Sequence, residues 1–257
     1  MKKVLGILLT VLLLLTVVGC GKKKDPAVSS DPNAKQLYVD AIAKNGEITD
    51  SHIKLDITMV MKMEGFGSLE IVSKTESWIR NPGDSDMEMI VISSAEVFGM
   101  SNTIKTYMKD GQYYIDDSIY QYKATEAEAE SYIASSQPTT NYNFVEAATN
   151  FSAKKVDGGT EITFDVSKEA LTKLLSGQLE NATIESAEFE EFSVKAFIDS
   201  DGYLKTMDIY VVFSVVENDM TTNATMTINI SSEPLSDSFT FEFPDFSEFS
   251  ESNPILY

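Results

Sequence analysis

Cysteine, histidine and tryptophan occur once each in 257 residues. A single Cys admits no intramolecular disulfide and no Cys-cluster metal site. A single His leaves no His-cluster zinc site and makes a His-based catalytic triad a poor fit. Basic residues are scarce as well. Twenty Lys and Arg stand against 40 Asp and Glu, for a formal net charge of -20. That excludes a generic nucleic-acid binder, which needs a basic face to neutralise phosphates. The chain carries no P-loop, no Gly-x-Ser-x-Gly and no dinucleotide fingerprint. Nothing in it calls for a cofactor or a metal. What it does have is 43% hydrophobic and 23% charged residues, the composition of a folded globular chain.

Only one stretch is a long uncharged apolar run. Lys2 and Lys3 precede it, and it extends from Val4 to Val18. A bilayer-spanning helix needs about 20 apolar residues, so this run suits the h-region of an export signal. It ends Val17-Val18-Gly19-Cys20, which resembles the lipobox of bacterial lipoproteins. The match is partial, because Leu is usual where Val17 stands and a small residue where Val18 stands. The resemblance implies a thioether-linked diacylglyceryl group on Cys20 and cleavage before it. The alternative is an uncleaved anchor with an incidental Cys. Residues 1–19 are then a lipoprotein signal peptide. Residues 20–34 are a lipidated tether, small, polar and Pro-bearing after Lys22, Lys23 and Lys24. Two acyl chains suffice for stable anchoring where one does not. The expected location is the extracytoplasmic face of the cell membrane. The Asn-x-Ser/Thr triplets at Asn150, Asn181, Asn223 and Asn229 read as chance in such a protein.

The body, residues 35–257, reads as a single domain. Asp31-Pro32 starts a helix, with Asp as N-cap and Pro at the first helical position, and Asn45-Gly46 ends it. The period then changes to two. Ile53, Leu55, Ile57, Met59, Met61 and Met63 share one strand face, and His52, Lys54, Asp56, Thr58 and Lys62 share the other. Further strands are expected at 69–80, 86–93, 103–109 and 112–116, the last two joined by the hairpin pair Asp110-Gly111. Thr125 and Glu128 match a capping box. Residues 142–149 read as a short helix. Strands follow at 152–156 and 160–166, and Ser167 caps a helix through Leu171, Leu174 and Leu175 that Gly177 stops. Long strands at 188–198, 203–216 and 220–231 come next. A last short strand carries Phe239, Phe241 and Phe243. The fold class is α+β, mainly β. Strands in sequential hairpins make a largely antiparallel sheet, and so many long strands must curl or split. The few short helices are expected to pack on its apolar face.

A lipobox, a tether, one helix, a long meander, mid-chain helices and a hairpin-rich second half together resemble the LolA-like lipoproteins. These include the LppX/LprG-type proteins and related surface lipoproteins of Gram-positive bacteria. The phrases Tyr107-Met108-Lys109-Asp110-Gly111-Gln112-Tyr113-Tyr114 and Phe197-Ile198-Asp199-Ser200-Asp201-Gly202-Tyr203-Leu204-Lys205 are similar to hairpins of that group. The resemblance is one of layout. It implies a half-barrel, a curved antiparallel sheet with helices on its concave face and an apolar cavity for acyl chains. No catalytic residue comes with it.

The candidate ligand lining is therefore Ile53, Leu55, Ile57, Met59, Met61, Met63, Met87 and Met89. Met is flexible and polarizable and suits an adaptable apolar cavity; a plain core under a helix is the competing account. His52, at a strand start with no second His nearby, reads as a surface residue. Asp199-Ser200-Asp201-Gly202 has a faint calcium-loop look, but no further ligand stands in register, so it reads as a β-turn. Glu185, Glu188, Glu190 and Glu191, and Glu126, Glu128 and Glu130, read as solvated faces. Trp78, Tyr113, Tyr114, Tyr120 and Tyr122 read as core or cross-strand pairs. The sequence points to a non-enzymatic lipoprotein whose partners are the membrane, through its anchor, and a lipid ligand. The alternative is a surface interaction or sensory module with a filled core.

Overall fold

The computed structural model describes residues 32–63, 67–82, 86–129, 144–171, 186–217 and 220–252. The signal run, Cys20 and the tether as far as Asp31 lie outside them, as do Glu130, Leu174, Leu175, Gly177, Asn181 and Glu185, whereas residues 32–34, expected as tether, open the first helix.

Helix α1, Pro32–Asn45, turns Ala34, Tyr38 and Ala41 inward at helical spacing. Its end is stitched to a strand. The Asn45 amide donates to the Leu204 carbonyl at 2.7 Å and its Oδ1 accepts from the Leu204 N–H at 2.8 Å. Six strands follow: β1 Ser51–Met63, β2 Gly67–Arg80, β3 Glu88–Val97, β4 Met100–Lys109, β5 Gln112–Asp116 and β6 Gln121–Ala124. A single-turn helix α2, Phe144–Ala147, leads into β7 Ala148–Val156, β8 Gly159–Val166, β9 Ser186–Asp199, β10 Leu204–Glu217 and β11 Met220–Pro234. The sheet order is β6-β5-β4-β3-β2-β1-β11-β10-β9-β8-β7, antiparallel and unclosed. The expected class, mainly β with one large antiparallel sheet and short helices, is the one the chain adopts.

Several local signals behave as expected. Asp110 and Gly111 both take positive φ, +52° and +74°, as a type I′ hairpin requires. Thr125 and Glu128 form the capping box, Thr125 N–H to Glu128 Oε2 at 2.9 Å and Glu128 N–H to Thr125 Oγ1 at 3.3 Å. Ser167 Oγ accepts from the Ala170 N–H at 3.2 Å. Three differences stand out. Strand β6 follows a loop of Asx turns, where Asp116 and Asp117 side chains accept from the Ser118, Ile119 and Tyr120 N–H groups. Ala148 and Thr149 belong to β7 rather than to the preceding helix. The Phe239–Phe243 segment pairs with no strand.

Packing divides the chain into two compact units. The first joins Met1–Asn45, Thr58–Glu70 and Pro138–Asn229. Its registers align Ile162, Ala196 and Met207 in one row across β8, β9 and β10, and Phe164, Val194 and Ile209 in the next. All six are buried. Helix α1 packs on β7, β9 and β10. The Tyr38 ring meets Phe164 edge-on at 4.9 Å, and its hydroxyl donates to the Met207 sulfur at 3.2 Å. Each such large side chain contributes about 1.5–3 kcal/mol on burial.

The second unit joins Gly46–Ile57, Ile71–Gln137 and Ile230–Tyr257. Here both sheet faces are covered. Trp78, Ile90, Ile92, Tyr107 and Tyr114 form one of them, and the C-terminal segment lies on it with Phe239, Phe241, Phe243, Phe246 and Phe249. Tyr114 stacks on Phe246 at 3.8 Å. Past a 3₁₀ turn at Phe246–Glu248, Ser250 pairs with the edge strand: Lys123 N–H donates to its carbonyl at 2.8 Å and its N–H donates to Gln121 O at 2.9 Å. The tail thus covers a free sheet edge, which otherwise invites pairing with another chain. The alternating phenylalanines serve as a strap rather than a strand.

Candidate functional site

The other face of β2–β6 in this second unit is the candidate site. Cross-strand registers place Ile79, Met89, Met108, Tyr113 and Ala124 in one row. Ser77, Val91, Thr106, Ile115 and Tyr122 form the next, and Thr75, Ser93 and Ile104 the one after. None of these side chains carries a charge. The opposite face of the same strands holds Lys74, Glu76, Arg80, Glu88, Lys105 and Lys109. The period of two has therefore sorted all charge to one side.

Of the eight candidate lining residues, Met89 is 1% exposed and sits with the partly buried Met87 in a cluster with Val91, Met108, Ile79 and Tyr113. Leu55 and Ile57 are buried and Ile53 partly so, within the same unit. Met59 and Met61, each 1% exposed, and the partly buried Met63 belong to the first unit. The stripe along β1 is an alternation of buried and exposed positions, as its sequence requires. Leu55, Ile57, Met59 and Met61 are its buried positions. Nothing in the sequence marks the hydroxyls Thr75, Ser77 and Thr106, buried on the same face, because which face they take depends on register.

On the other side of β1, His52 is not a free surface residue. Its side chain is 16% exposed, with Nδ1 2.9 Å from Glu233 Oε1 and Nε2 2.8 Å from Glu76 Oε1. Lys54 reaches the same Glu76 oxygen at 3.0 Å. The ring stacks on Trp78 at 5.1 Å, and Trp78 on Phe239 at 6.3 Å. Burial opposes ionisation of Glu76, but hydrogen bonds from His52 and Lys54 outweigh it and hold the carboxyl below its ordinary value. Arg80 donates to the Phe239 carbonyl at 2.8 Å and lies 5.1 Å from the Phe241 ring, so it holds the strap. Both ring nitrogens of His52 are engaged, and the cluster is a structural clamp.

The 199–202 segment is a turn. Asp199 Oδ1 accepts from the Asp201 and Tyr203 N–H groups at 3.0 and 2.8 Å, and Lys44 donates to the Asp201 carbonyl. Among the described residues no three His, Cys, Asp or Glu side chains gather to hold a metal ion. Glu188, Glu190 and Glu191 are exposed. An open groove of about 810 Å³ is lined by Met108, Gln112, Tyr113, Lys123, Glu126, Glu128 and Glu251 among others. A smaller one of about 250 Å³ in the first unit is lined by Asn150, Asp165, Lys195, Asp208 and Tyr210 among others. Neither takes a side chain from the eight-residue lining set. Among the described residues no helix is long and apolar enough to cross a membrane.

No family model matches the chain, and no curated protein matches it. Solved structures do. LprF from Mycobacterium bovis is 9% identical, with a TM-score of 0.43 over 84% of this chain and 99% of that one. A LolA-superfamily protein from Nitrosomonas europaea is 9% identical, with a TM-score of 0.25 over 82% and 95%. A putative outer membrane lipoprotein-sorting protein domain from Vibrio parahaemolyticus is 10% identical, with a TM-score of 0.25 over 83% and 96%. These matches include the LolA-like group that the sequence layout resembles. At such identities and scores they say nothing about residues or ligands.

Proposed function

We propose that this protein is a non-enzymatic, extracytoplasmic lipoprotein, anchored through Cys20, that binds a hydrophobic ligand, an acyl lipid, against the uncharged face of its sheet. The observation that carries the reading is the sorting of charge. In a chain with 40 acidic residues, one face of five strands holds none, and Met87, Met89 and Met108 lie together on it. Flexible thioether side chains adapt to an acyl chain. A buried 16-carbon chain would contribute on the order of 13 kcal/mol relative to water, at about 0.8 kcal/mol per CH₂. Relative to a bilayer the gain is near zero, so a carrier needs only a comparably apolar cavity. The leader and Cys20 support the membrane location. Native mass spectrometry of protein taken from membranes tests the reading: bound lipid mass is expected, and a bare polypeptide mass contradicts it.

One observation favours a second reading. Met59, Met61 and Met89 are each 1% exposed, as in a filled core, while Phe98, Met100 and Ile119 are 66%, 69% and 77% exposed. A surface interaction module would bury the first set and present the second. Such a module takes up no lipid and keeps the same stability with and without membranes.

A further inference from the structure

We propose that Thr75, Ser77, Ser93 and Thr106 form a polar subsite that hydrogen-bonds an uncharged head or linkage group of an otherwise apolar ligand. The inference rests on the reading of this face as a hydrophobic-ligand site and adds the chemistry of what binds there. Ser77 and Thr106 flank Val91 in one cross-strand row, and Thr75 and Ser93 lie side by side in the next. With strands about 4.8 Å apart and alternate residues about 6.8 Å apart, the four hydroxyls fall within about 12 Å of one another. Ser77 and Thr106 are each 2% exposed. Among the described residues, neither side chain has a hydrogen-bond partner. Thr75 and Ser93 bond each other at 3.2 Å, which leaves each with capacity for another bond.

Buried hydroxyls without partners are costly, and native proteins satisfy nearly all of them. A partner supplied by the ligand accounts for two such groups on a face that carries no charge. The group they meet carries no charge. No Lys, Arg or His lies on this face of β2–β6, and an unpaired anion in such surroundings is prohibitive. A hydroxyl both donates and accepts, so an alcohol or an ester carbonyl fits.

Three 16-carbon probes separate the cases: hexadecane, 1-hexadecanol, and palmitate at pH 8, where the carboxyl is ionised. They are loaded from cyclodextrin onto the delipidated full chain and onto Ser77→Ala and Thr106→Val, and bound probe is read by mass spectrometry. Hexadecanol is expected to bind about tenfold more tightly than hexadecane or palmitate. Each substitution is expected to weaken hexadecanol about fivefold and leave hexadecane unchanged. Equal hexadecanol binding by wild type and both variants overturns the subsite while the ligand site stands. Palmitate binding as tightly as hexadecanol overturns the requirement for an uncharged group. Failure of all three probes to bind overturns the ligand site itself. Thr106→Val is also expected to melt at or above the wild-type temperature without ligand, because it removes an unpaired hydroxyl at constant shape. A clear drop would show that the hydroxyl already has a partner, and would count against the subsite.

Discussion

Both nitrogens of His52 face carboxylate oxygens, Nδ1 toward Glu233 and Nε2 toward Glu76. Glu76 receives a hydrogen bond from His52 and one from Lys54, and its carboxyl is held below the usual 4.5. A carboxyl with a lowered folded-state pKa stabilises the fold above the ordinary carboxylate range, and that stability is lost as pH falls through the folded value. Lys54→Met removes one donor and leaves the stack on Trp78 intact. Its acid-unfolding midpoint, followed by circular dichroism, is expected to move to higher pH; an unmoved midpoint would show that Lys54 does not hold the Glu76 carboxylate. None of this was legible locally. The alternation from His52 to Met63 shows which face His52 takes, but Glu76 and Glu233 stand 24 and 181 positions away. Register and the return of β11 bring them together.

Among elements, α1 depends on one side chain more than any other. Tyr38 is fully buried between Phe164, Phe151 and Met207. Tyr38→Ala is expected to cost about 3–5 kcal/mol by cavity formation, measurable by urea unfolding; a loss under 1 kcal/mol would mean the helix is not docked this way. Hairpins divide by their turn residues. Asp110-Gly111 announces itself, because only such residues take left-handed conformations freely. The β3–β4 hairpin turns on Phe98-Gly99, with Phe98 at φ +55° and 66% exposed. A bulky residue there carries no turn signature, so the sequence alone assigns no element to 94–102. The strain is testable: Phe98→Gly is expected to raise stability by about 1 kcal/mol, and a loss of stability would indicate that the ring packs on something. The C-terminal phenylalanines misled for a related reason. Alternation over 239–243 matches a strand, but the segment's own rings fill the face it covers, and the ladder hydrogen bonds are never made.

For the whole molecule, the large antiparallel sheet was legible because its strands are long and alternate cleanly. The charge-free face was legible only along β1. On β2–β5 the strap covers the side that bears the charges and leaves the uncharged side as the distinctive one. Location rests on the leader. Cys20→Ser, produced in a bacterium that processes lipoproteins, is expected to shift the protein from the membrane pellet to the soluble fraction; retention in the pellet would point to an uncleaved anchor. The lipid reading itself turns on what occupies the face built around Met89, Val91 and Met108. The most direct measurement is solvent extraction and mass spectrometry of the protein purified from membranes, beside an unrelated lipoprotein carried through the same steps. About one apolar lipid per chain, beyond the acyl groups proposed for Cys20, is the predicted result. Lipid no higher than in the control would contradict it and leave a tethered body with a filled core.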